Sequence, residues 1–365
     1  MAELEIDSKK IVENISMINA LLNEYNIEWS LITKILSGHE ETLEKILENS
    51  EIKKVHSIGE SRLTNMKHIK EICPDIVTMY IKPPAPELAE DIVANANISM
   101  NTSLETIKQL NKAAKKLKKV HRIIIMIELG ELREGVVREN VENFFKSVLE
   151  LSNIRIDGIG TNLGCMYGVE PTYDKLIQLS LYKQILENRF NIKLNLISGG
   201  SSITLPLIKQ GKIPKTVNHF RLGEAIFLGL TPLTGEQFES LHTDVFTYKA
   251  NILEIEEKQY IPDGVLSDGS VGHSTDLDQY DVHDRSYKAI VDFGILDVDV
   301  NEVTPMNKDI QFIGTTSDLT VYDLGKNLDE QKNTKYKVGD KIHFHLSYMG
   351  AARLMNSKFV EKDVI

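Results

Sequence analysis

Over about the first 230 residues, short apolar runs alternate with longer segments whose apolar residues recur at helical spacing. Runs such as RIIIMIEL (122–129) are apolar along their whole length, which is typical of strands buried on both faces of a sheet. Segments such as YDKLIQLSLYKQILENRF (173–190) are amphipathic, as expected for helices that cover such a sheet. This βα rhythm predicts a parallel sheet, and the number of repeats favours a (β/α)8 barrel over an open sheet.

The pattern changes close to Pro232. From DVFTYKANILEI (244–255) onward, strand-like segments and turns follow one another without a long amphipathic helix. We therefore predict a barrel over residues 1–235 and a mainly β C-terminal domain over residues 236–365. Residues 1–8 could pair with the C-terminal domain, because LEI (4–6) has the composition of a short strand.

Charge and cysteine content exclude several classes of protein. Asp and Glu number 53 against 42 Lys and Arg, a net charge of −11, whereas nucleic-acid binders usually carry a basic face. The two cysteines, Cys73 and Cys165, form neither a disulfide framework nor a CxxC zinc pattern. MAELEIDSKK (1–10) has no apolar signal region, and IIIMI (123–127) is too short to span a bilayer. We expect a cytoplasmic protein with no membrane partner.

Lys34 lies in LITKIL (31–36), which is otherwise apolar or neutral and is predicted to be a buried strand. In barrels of this type the active site lies at the carboxyl ends of the strands. A desolvated lysine at such an end favours nucleophilic amine chemistry. Alternatively, its side chain could simply extend from the strand end into solvent.

Three further segments carry polar chemistry at predicted strand ends. Arg133, in IELGELREGV (127–136), could donate to a ligand oxyanion or lie in an ordinary surface loop. LISGGSSITLP (196–206) suits a phosphate, although Gly-Gly-Ser is also common turn chemistry. VNHFRLGEAIFLG (217–229) places Arg221 at a late strand, where these barrels commonly bind phosphate.

Together these features resemble the alanine racemase family of pyridoxal-phosphate enzymes, which have fold type III. Within it, the wording of several motifs resembles the ornithine racemase group: ITK, IGESRL, ELGELREGV, GTNLGCMYGV, ISGGSS, HFRLGEAIFLG and AIVDFGILDVD. The resemblance covers nearly the whole chain. It implies a (β/α)8 barrel followed by a β domain, pyridoxal 5'-phosphate as cofactor, and racemisation at Cα of a free amino acid, basic in type (ornithine or lysine). It also implies a homodimer with a shared active site.

The resemblance assigns roles to individual residues. Lys34 would form the internal aldimine with the cofactor and then exchange the Cα proton. Arg133 would lie near the cofactor's phenolic oxygen, and Arg221 against its pyridine nitrogen. An always-charged donor keeps that nitrogen unprotonated, which weakens the ring as an electron sink and suits simple proton exchange. The other cofactor-binding positions that the resemblance implies are Asn162, Ser201, Ser202, Gly223, Glu224 and Tyr348.

One departure from the family concerns the second catalytic base. The family uses a tyrosine in a Gly-Tyr-Ala-Asp turn of the partner's β domain, and here that turn reads Gly-Ile-Leu-Asp (294–297). Isoleucine cannot move a proton, so another group must serve the opposite face of Cα. The candidates are Cys165, Asp318, His273 and Tyr287. Cys165 could instead be a small buried residue, and Asp318 could hold a cationic substrate side chain.

Histidines of the predicted C-terminal domain raise the question of metal binding. His343 and His345 alternate on one predicted strand, and GHSTDLDQYDVHDR (272–285) contains His273 and His283 with four aspartates. No ligand spacing completes a site, so we expect a solvated loop and no metal. The alternative functions are a pyridoxal-phosphate- and metal-dependent D-amino-acid aldolase or dehydratase, a non-catalytic pyridoxal-phosphate-binding protein, and a sugar-phosphate barrel enzyme.

Overall fold

The computed structural model describes residues 2–266, 272–276 and 284–365. The chain forms two compact units. One is Ser8–Thr243, and the other combines the segment that ends at Asp7 with Asp244–Ile365.

The chain begins with strand β1 (Glu3–Ile6), which belongs to the second of these units. Within the fully described range 8–243, eight parallel strands then close into a barrel, in which the first strand pairs with the last. They are β2 (Glu28–Ile32), β3 (Ser57–Glu60), β4 (Thr78–Tyr80), β5 (Ile98–Asn101), β6 (His121–Met126), β7 (Ile154–Gly160), β8 (Leu196–Ser201) and β9 (His219–Leu222). The predicted (β/α)8 barrel is confirmed.

Helices alternate with these strands and cover the barrel. They are α1 (Ser8–Glu24), α2 (Glu40–Leu47), α3 (Leu63–Ile72), α4 (Ala89–Asn95), α5 (Leu104–Lys116), α6 (Val141–Leu149), α7 (Tyr173–Phe190), α8 (Leu205–Lys209) and α9 (Glu224–Leu228). In α1 the buried residues Ile11, Ile15, Ile18 and Leu22 recur every three or four positions, so one face packs inward. Among the described residues, no helix has the length and apolarity needed to cross a membrane.

The barrel strands are buried because both of their faces are covered. Every residue of β3, β5 and β9 is buried, and one apolar cluster joins Met79, Ile98, Met100, Ile124, Met126 and Leu196. Since the strands are parallel, their carboxyl ends all meet at one mouth of the barrel. Polar side chains that follow different strands are therefore brought together there.

The second unit is a mainly antiparallel sheet. Its further elements are β10 (Phe246–Gln259), β11 (His273–Ser274), β12 (Arg285–Val291), β13 (Val303–Pro305), β14 (Gln311–Thr315), β15 (Thr320–Asp323), β16 (Lys341–Leu346), α10 (Tyr348–Asn356) and β17 (Glu361–Val364). β1 lies between β10 and β17, antiparallel to the first and parallel to the second. Residues 3–6 are thus part of this sheet.

One prediction for this unit is wrong. The alternating pattern of DKIHFHLSY (340–348) predicts a strand throughout, but β16 ends at Leu346 and Tyr348 begins α10. Ser347 explains the break, because its side chain accepts a hydrogen bond from the N–H of Gly350 (3.1 Å) and caps the new helix. The strand pattern continued to Tyr348, and the cap overrides it.

Candidate active site

Lys34 follows the first barrel strand, but it is not a buried strand residue. β2 ends at Ile32, and Lys34 begins a 3-10 helix over Lys34–Leu36 with its side chain exposed. The prediction that LITKIL is one buried strand is therefore wrong after Ile32. Glu224 lies within electrostatic reach of this amine: burial raises the pKa of the Glu224 carboxyl, and the charge on Lys34 opposes that rise. The lysine is thus accessible to a ligand at the mouth of the barrel.

Arg221 lies inside β9 and is 8% exposed. Its Nη1 donates to the carbonyl oxygen of Ser198 (2.9 Å) and to its hydroxyl, while Nη2 donates to the carbonyl oxygen of Thr161 (2.8 Å) and to Oδ1 of Asn162 (2.6 Å). Burial lowers the pKa of this guanidinium to about 10, so it stays charged at neutral pH. Nε has no partner among the described residues, which leaves one donor for a ligand.

Glu134 connects Arg221 to Arg133. Its carboxylate forms a bidentate ion pair with Arg133 through Nε and Nη2, and it also accepts from Nδ2 of Asn162. The Glu134 side chain is 11% exposed and that of Arg133 is 35% exposed. Glu134 was not among the predicted site residues; its only signal in the sequence was its position directly after Arg133. The Glu134 carboxylate thus binds Arg133 directly and Arg221 through Asn162.

Cys165 lies against Arg133. Nη1 of Arg133 donates to Sγ of Cys165, which is exposed, so the alternative of a small buried cysteine is wrong. No local sequence pattern indicates this contact, because Arg133 follows β6 whereas Cys165 follows β7. A thiol and a guanidinium are therefore neighbours at the barrel mouth.

A second acid, Glu131, holds the loop that carries Cys165. Its Oε1 accepts from the backbone N–H groups of Cys165 (3.1 Å), Tyr167 (2.6 Å) and Gly168 (3.3 Å), and Oε2 accepts from that of Val169 (3.1 Å). Burial opposes ionisation of this carboxyl, but the four N–H donors outweigh it and lower its pKa. Glu131 was also missing from the predicted site. Its role is to shape the loop.

The predicted phosphate residues follow β8 and β9. Ser202 is buried, and its hydroxyl accepts from the N–H of Ala225 (3.1 Å), which ties the two loops together. The N–H of Ser201 is taken by Oγ1 of Thr204 (3.1 Å). Gly223 approaches β2 so closely that an added Cβ would lie 3.1 Å from the carbonyl oxygen of Ile32. These residues thus lie together where the neighbouring strands β8 and β9 end.

Glu60 is a further buried acid at this mouth. It ends β3, is 1% exposed, and accepts from the N–H groups of Ser61 (2.6 Å) and Arg62 (3.1 Å). Burial raises its pKa against these donors. We interpret Glu60 as an anchor for the turn into α3, and IGESRL (58–63) was its signal in the sequence.

The remaining candidates belong to the β unit. Ile295 lies in a turn, and its backbone N–H donates to the carbonyl oxygen of Thr316 (2.9 Å). Asp318 is exposed on the loop that contains Thr316. Tyr348 is half-buried at the start of α10. His273 and Tyr287 are exposed. Their catalytic or binding roles stay predictions.

The expected histidine features are ordinary surface positions as far as they are described. His343 and His345 are both exposed on β16, and His283 lies outside the described residues. Within ranges 2–266, 272–276 and 284–365, no group of three or more His, Cys, Asp or Glu side chains is placed to hold a metal ion.

Comparison with known proteins agrees with this architecture. The profile of the family described as "Alanine racemase, N-terminal domain" matches residues 6–232. An ornithine racemase of Acetoanaerobium sticklandii is 33% identical over 364 residues, which are 100% of this chain and 99% of that protein. A lysine racemase of Thermotoga maritima is 30% identical over 363 residues, 98% of this chain and 97% of the relative.

Solved structures show the same fold at low sequence identity. The alanine racemase of Corynebacterium glutamicum superposes with a TM-score of 0.73 at 16% identity and covers 100% of this chain and 99% of that one. That of Clostridium difficile 630 gives 0.72 at 17% identity, with coverages of 100% and 95%. The expected resemblance to this family and to its ornithine racemases is confirmed. The chain belongs to the alanine racemase family, and its full-length curated relatives are amino-acid racemases.

Proposed function

We propose that this protein racemises a free basic amino acid, ornithine or lysine, at Cα with pyridoxal 5'-phosphate as cofactor. The observation that carries the proposal is the polar network at one barrel mouth, where a buried Arg221 is joined through Asn162 and Glu134 to Arg133. The ornithine and lysine racemases among its full-length relatives support the choice of a basic substrate.

The residues at this mouth suit that cofactor. Hydrogen-bonding capacity unused by the described residues remains on Nε of Arg221 and on the buried hydroxyl of Thr161. A buried unpaired hydroxyl is unfavourable unless a ligand or water completes it. Ser202 and the backbone of Gly223 and Glu224 would hold the phosphate, Arg133 the phenolic oxygen, and Arg221 the ring nitrogen. When bound, pyridoxal phosphate supplies an electron sink that acidifies the Cα–H bond of an amino acid.

Lys34 would bind the cofactor and then move a proton at one face of Cα. The exposure of Lys34 at the barrel mouth supports this role, because an amine buried within a strand could not reach both the cofactor and Cα of the substrate. Arg221 would keep the ring nitrogen unprotonated, since a guanidinium offers only donors and stays charged. A ring that is a weaker electron sink favours return of a proton to Cα over side reactions at other atoms.

Cys165 is our first choice for the proton carrier at the opposite face. It is exposed at the same mouth and contacts Arg133, and a thiol can exchange protons when suitably placed. Asp318 is the second choice, and would alternatively bind the substrate's ammonium group. Since the family builds its site from two subunits, we infer a homodimer, which size-exclusion chromatography with light scattering would test. Tyr348 would reach the phosphate.

The principal experiment is a chiral assay of D- and L-ornithine, lysine and alanine with purified protein and added pyridoxal phosphate. We expect ornithine or lysine to interconvert, and Lys34→Ala to lose roughly a thousandfold or more in rate. Lys45→Ala is the matched control, because Lys45 is a helix-surface residue paired with Glu41 at 3.1 Å. A protein that does not take up the cofactor, or that cleaves or dehydrates D-amino acids instead of racemising them, would contradict the proposal.

Solvent-deuterium incorporation at Cα tests the second proton carrier. If Cys165 serves one face, Cys165→Ala should slow exchange from one enantiomer much more than from the other, whereas Cys73→Ala should change neither. Cys73 is a half-buried cysteine at the end of α3. Asp318→Asn is compared with Asp309→Asn, whose side chain is 83% exposed. Full exchange from both enantiomers in both test variants would exclude both residues.

A further inference from the structure

A line of buried polar side chains runs along four neighbouring barrel strands, β8, β9, β2 and β3, from Arg221 towards the amino ends of the strands. Oγ of Ser198 lies 2.5 Å from Nη1 of Arg221 and 2.8 Å from Nδ1 of His219. Nε2 of His219 lies 2.9 Å from Oγ of Ser30, which is 2.7 Å from Oγ of Ser57. Ser30, Ser198 and His219 are each 0% exposed. None of them has a role in the proposed function.

The line continues to the edge of the barrel. Oγ of Ser57 lies 3.2 Å from Nδ1 of His56, directly before β3, and the rings of His56 and His219 meet edge to face with centroids 5.1 Å apart. Burial holds the pKa of His219 well below its usual range, with the neighbouring His56 and Arg221 charges acting in the same direction. A neutral imidazole has one N–H and one acceptor nitrogen.

The chemistry of arginine fixes the direction of every bond in this line. A guanidinium can only donate, so Ser198 accepts from Arg221 and its own hydrogen must go elsewhere. Among the described residues, the acceptor left for the hydrogen of the Ser198 hydroxyl is Nδ1 of His219. The proton of His219 is then on Nε2, and Ser30, Ser57 and His56 receive one hydrogen each in turn. The other tautomer would leave the Ser198 hydrogen without an acceptor in a fully buried position, which is unfavourable.

We propose that His219, as its Nε2–H tautomer, is a positioning residue that orients Ser198 and thereby fixes the Arg221 guanidinium at the barrel mouth. The consequence for catalysis rests on the proposed function, in which Arg221 faces the ring nitrogen of the cofactor. The His219 ring does not touch the reacting atoms. It acts through one serine hydroxyl.

The barrel contains a matched control for this arrangement. His121, at the start of β6, is also buried, and its Nε2 lies 2.7 Å from Oγ of Ser99. Burial lowers the pKa of His121 to about 4, so it is also neutral. Among the described residues, Ser99 accepts from Nδ2 of Asn101, and the pair does not contact either arginine of the site. Ser99→Ala therefore removes a similar buried bond without touching Arg221.

The first experiment needs no cofactor and uses nitrogen NMR of the full-length protein. We expect His219, identified by loss of its signals in His219→Asn, to carry its proton on Nε2. We expect the Arg221 guanidinium to rotate slowly in wild type and in Ser99→Ala, and faster in Ser198→Ala. An Nδ1–H or doubly protonated His219, or unchanged rotation of Arg221 in Ser198→Ala, would overturn the proposal.

Two substitutions of the histidine sharpen the test and cover the case in which Ser198→Ala does not fold. The oxygen of an asparagine side chain can take the place of Nδ1, and so accept from Ser198, whereas glutamine reaches only the place of Nε2. His219→Asn should therefore keep slow rotation of Arg221 and His219→Gln should lose it. Equal behaviour of these two variants would refute the directional chain.

Enzyme kinetics separate this inference from the proposed function. With racemase activity present, Ser198→Ala and His219→Gln should lower kcat roughly 10- to 100-fold with little change in KM, and shift the absorbance of bound cofactor. Ser99→Ala should do neither. If wild type racemises and Ser198→Ala matches Ser99→Ala, positioning is wrong and the proposed function stands. If wild type has no activity, the proposed function fails, and the NMR result alone decides whether His219 positions Arg221 through Ser198.

Discussion

Replacing Glu131 by glutamine should destabilise the barrel and loosen the loop that carries Cys165. The carboxylate accepts four backbone N–H groups, with the shortest contact at Tyr167 (2.6 Å). In glutamine one oxygen remains, but it loses its charge, which weakens its bonds by about 1 kcal/mol because charged acceptors bind roughly twice as strongly as neutral ones. The other oxygen becomes an NH2 group that faces the N–H of Val169. Leaving that donor unpaired costs about 1–3 kcal/mol, so the total loss is about 2–4 kcal/mol.

Urea unfolding followed by tryptophan fluorescence measures this loss. Trp29 is the single tryptophan, is 2% exposed and lies in β2, so its signal reports on the barrel. The matched control is Glu142→Gln; this acid has a side chain 42% exposed and pairs with Arg189 at 2.8 Å, so its loss should change stability by less than about 1 kcal/mol. The thiol of Cys165 should also react faster with iodoacetamide in Glu131→Gln. Equal stabilities for the two variants would refute the reasoning.

The effect of pH gives this prediction a sign. The pKa of Glu131 is lowered in the folded protein, so its contribution is complete above the unfolded value of about 4.3 and is lost as pH falls through the folded value. The difference in stability between wild type and Glu131→Gln should therefore shrink on acidification below about pH 4. A difference that grows on acidification would contradict the assigned hydrogen bonds.

Three further substitutions test other parts of the structure. Glu134→Gln removes the charge that pairs with Arg133 and should lower kcat roughly 10- to 100-fold, measured by the chiral assay; unchanged kcat would exclude it as an anchor. Gly135→Ala should destabilise the barrel by about 2 kcal/mol or more in urea unfolding, because φ is +155° and the new Cβ would lie 2.4 Å from the backbone nitrogen of Glu128; wild-type stability would show that the loop can shift. Tyr248→Phe should leave thermal stability unchanged or raise it by about 1 kcal/mol, because the buried hydroxyl has no partner among the described residues; a clear loss would reveal one.

Sequence reasoning located the arginine positions because their signals are local. Arg133 follows an apolar run that predicts a barrel strand, Arg221 lies near the end of another predicted strand, and parallel strands bring such ends together. Lys34 was found in the same way, although its local conformation was misjudged. The apolar residues on both sides of Lys34 suggested one strand, whereas a 3-10 turn exposes the amine and buries Ile35 and Leu36.

The acids of the site were missed because an acid in a loop has no local signature of its partner. Glu131 and Glu134 lie three residues apart in ELREG (131–135), yet one shapes the loop after β7 and the other holds Arg133 and Asn162. The same limit applies to His219. Nothing in HFRLG (219–223) reveals that His219 meets a serine on each of its two neighbouring strands.

The sequence by itself determined the barrel, the β unit and the residues that end the barrel strands, because hydrophobic periodicity and strand length are properties of contiguous residues. Tertiary structure decided which polar groups meet. The Glu134 bridge, the contact of Cys165 with Arg133 and the directed line from Arg221 to His56 all join residues that lie on, or next to, different strands. Such contacts depend on the closure and register of the barrel. The direction of each hydrogen bond in the line depends on the Arg221 guanidinium, which can only donate and which meets Ser198 only in the folded barrel.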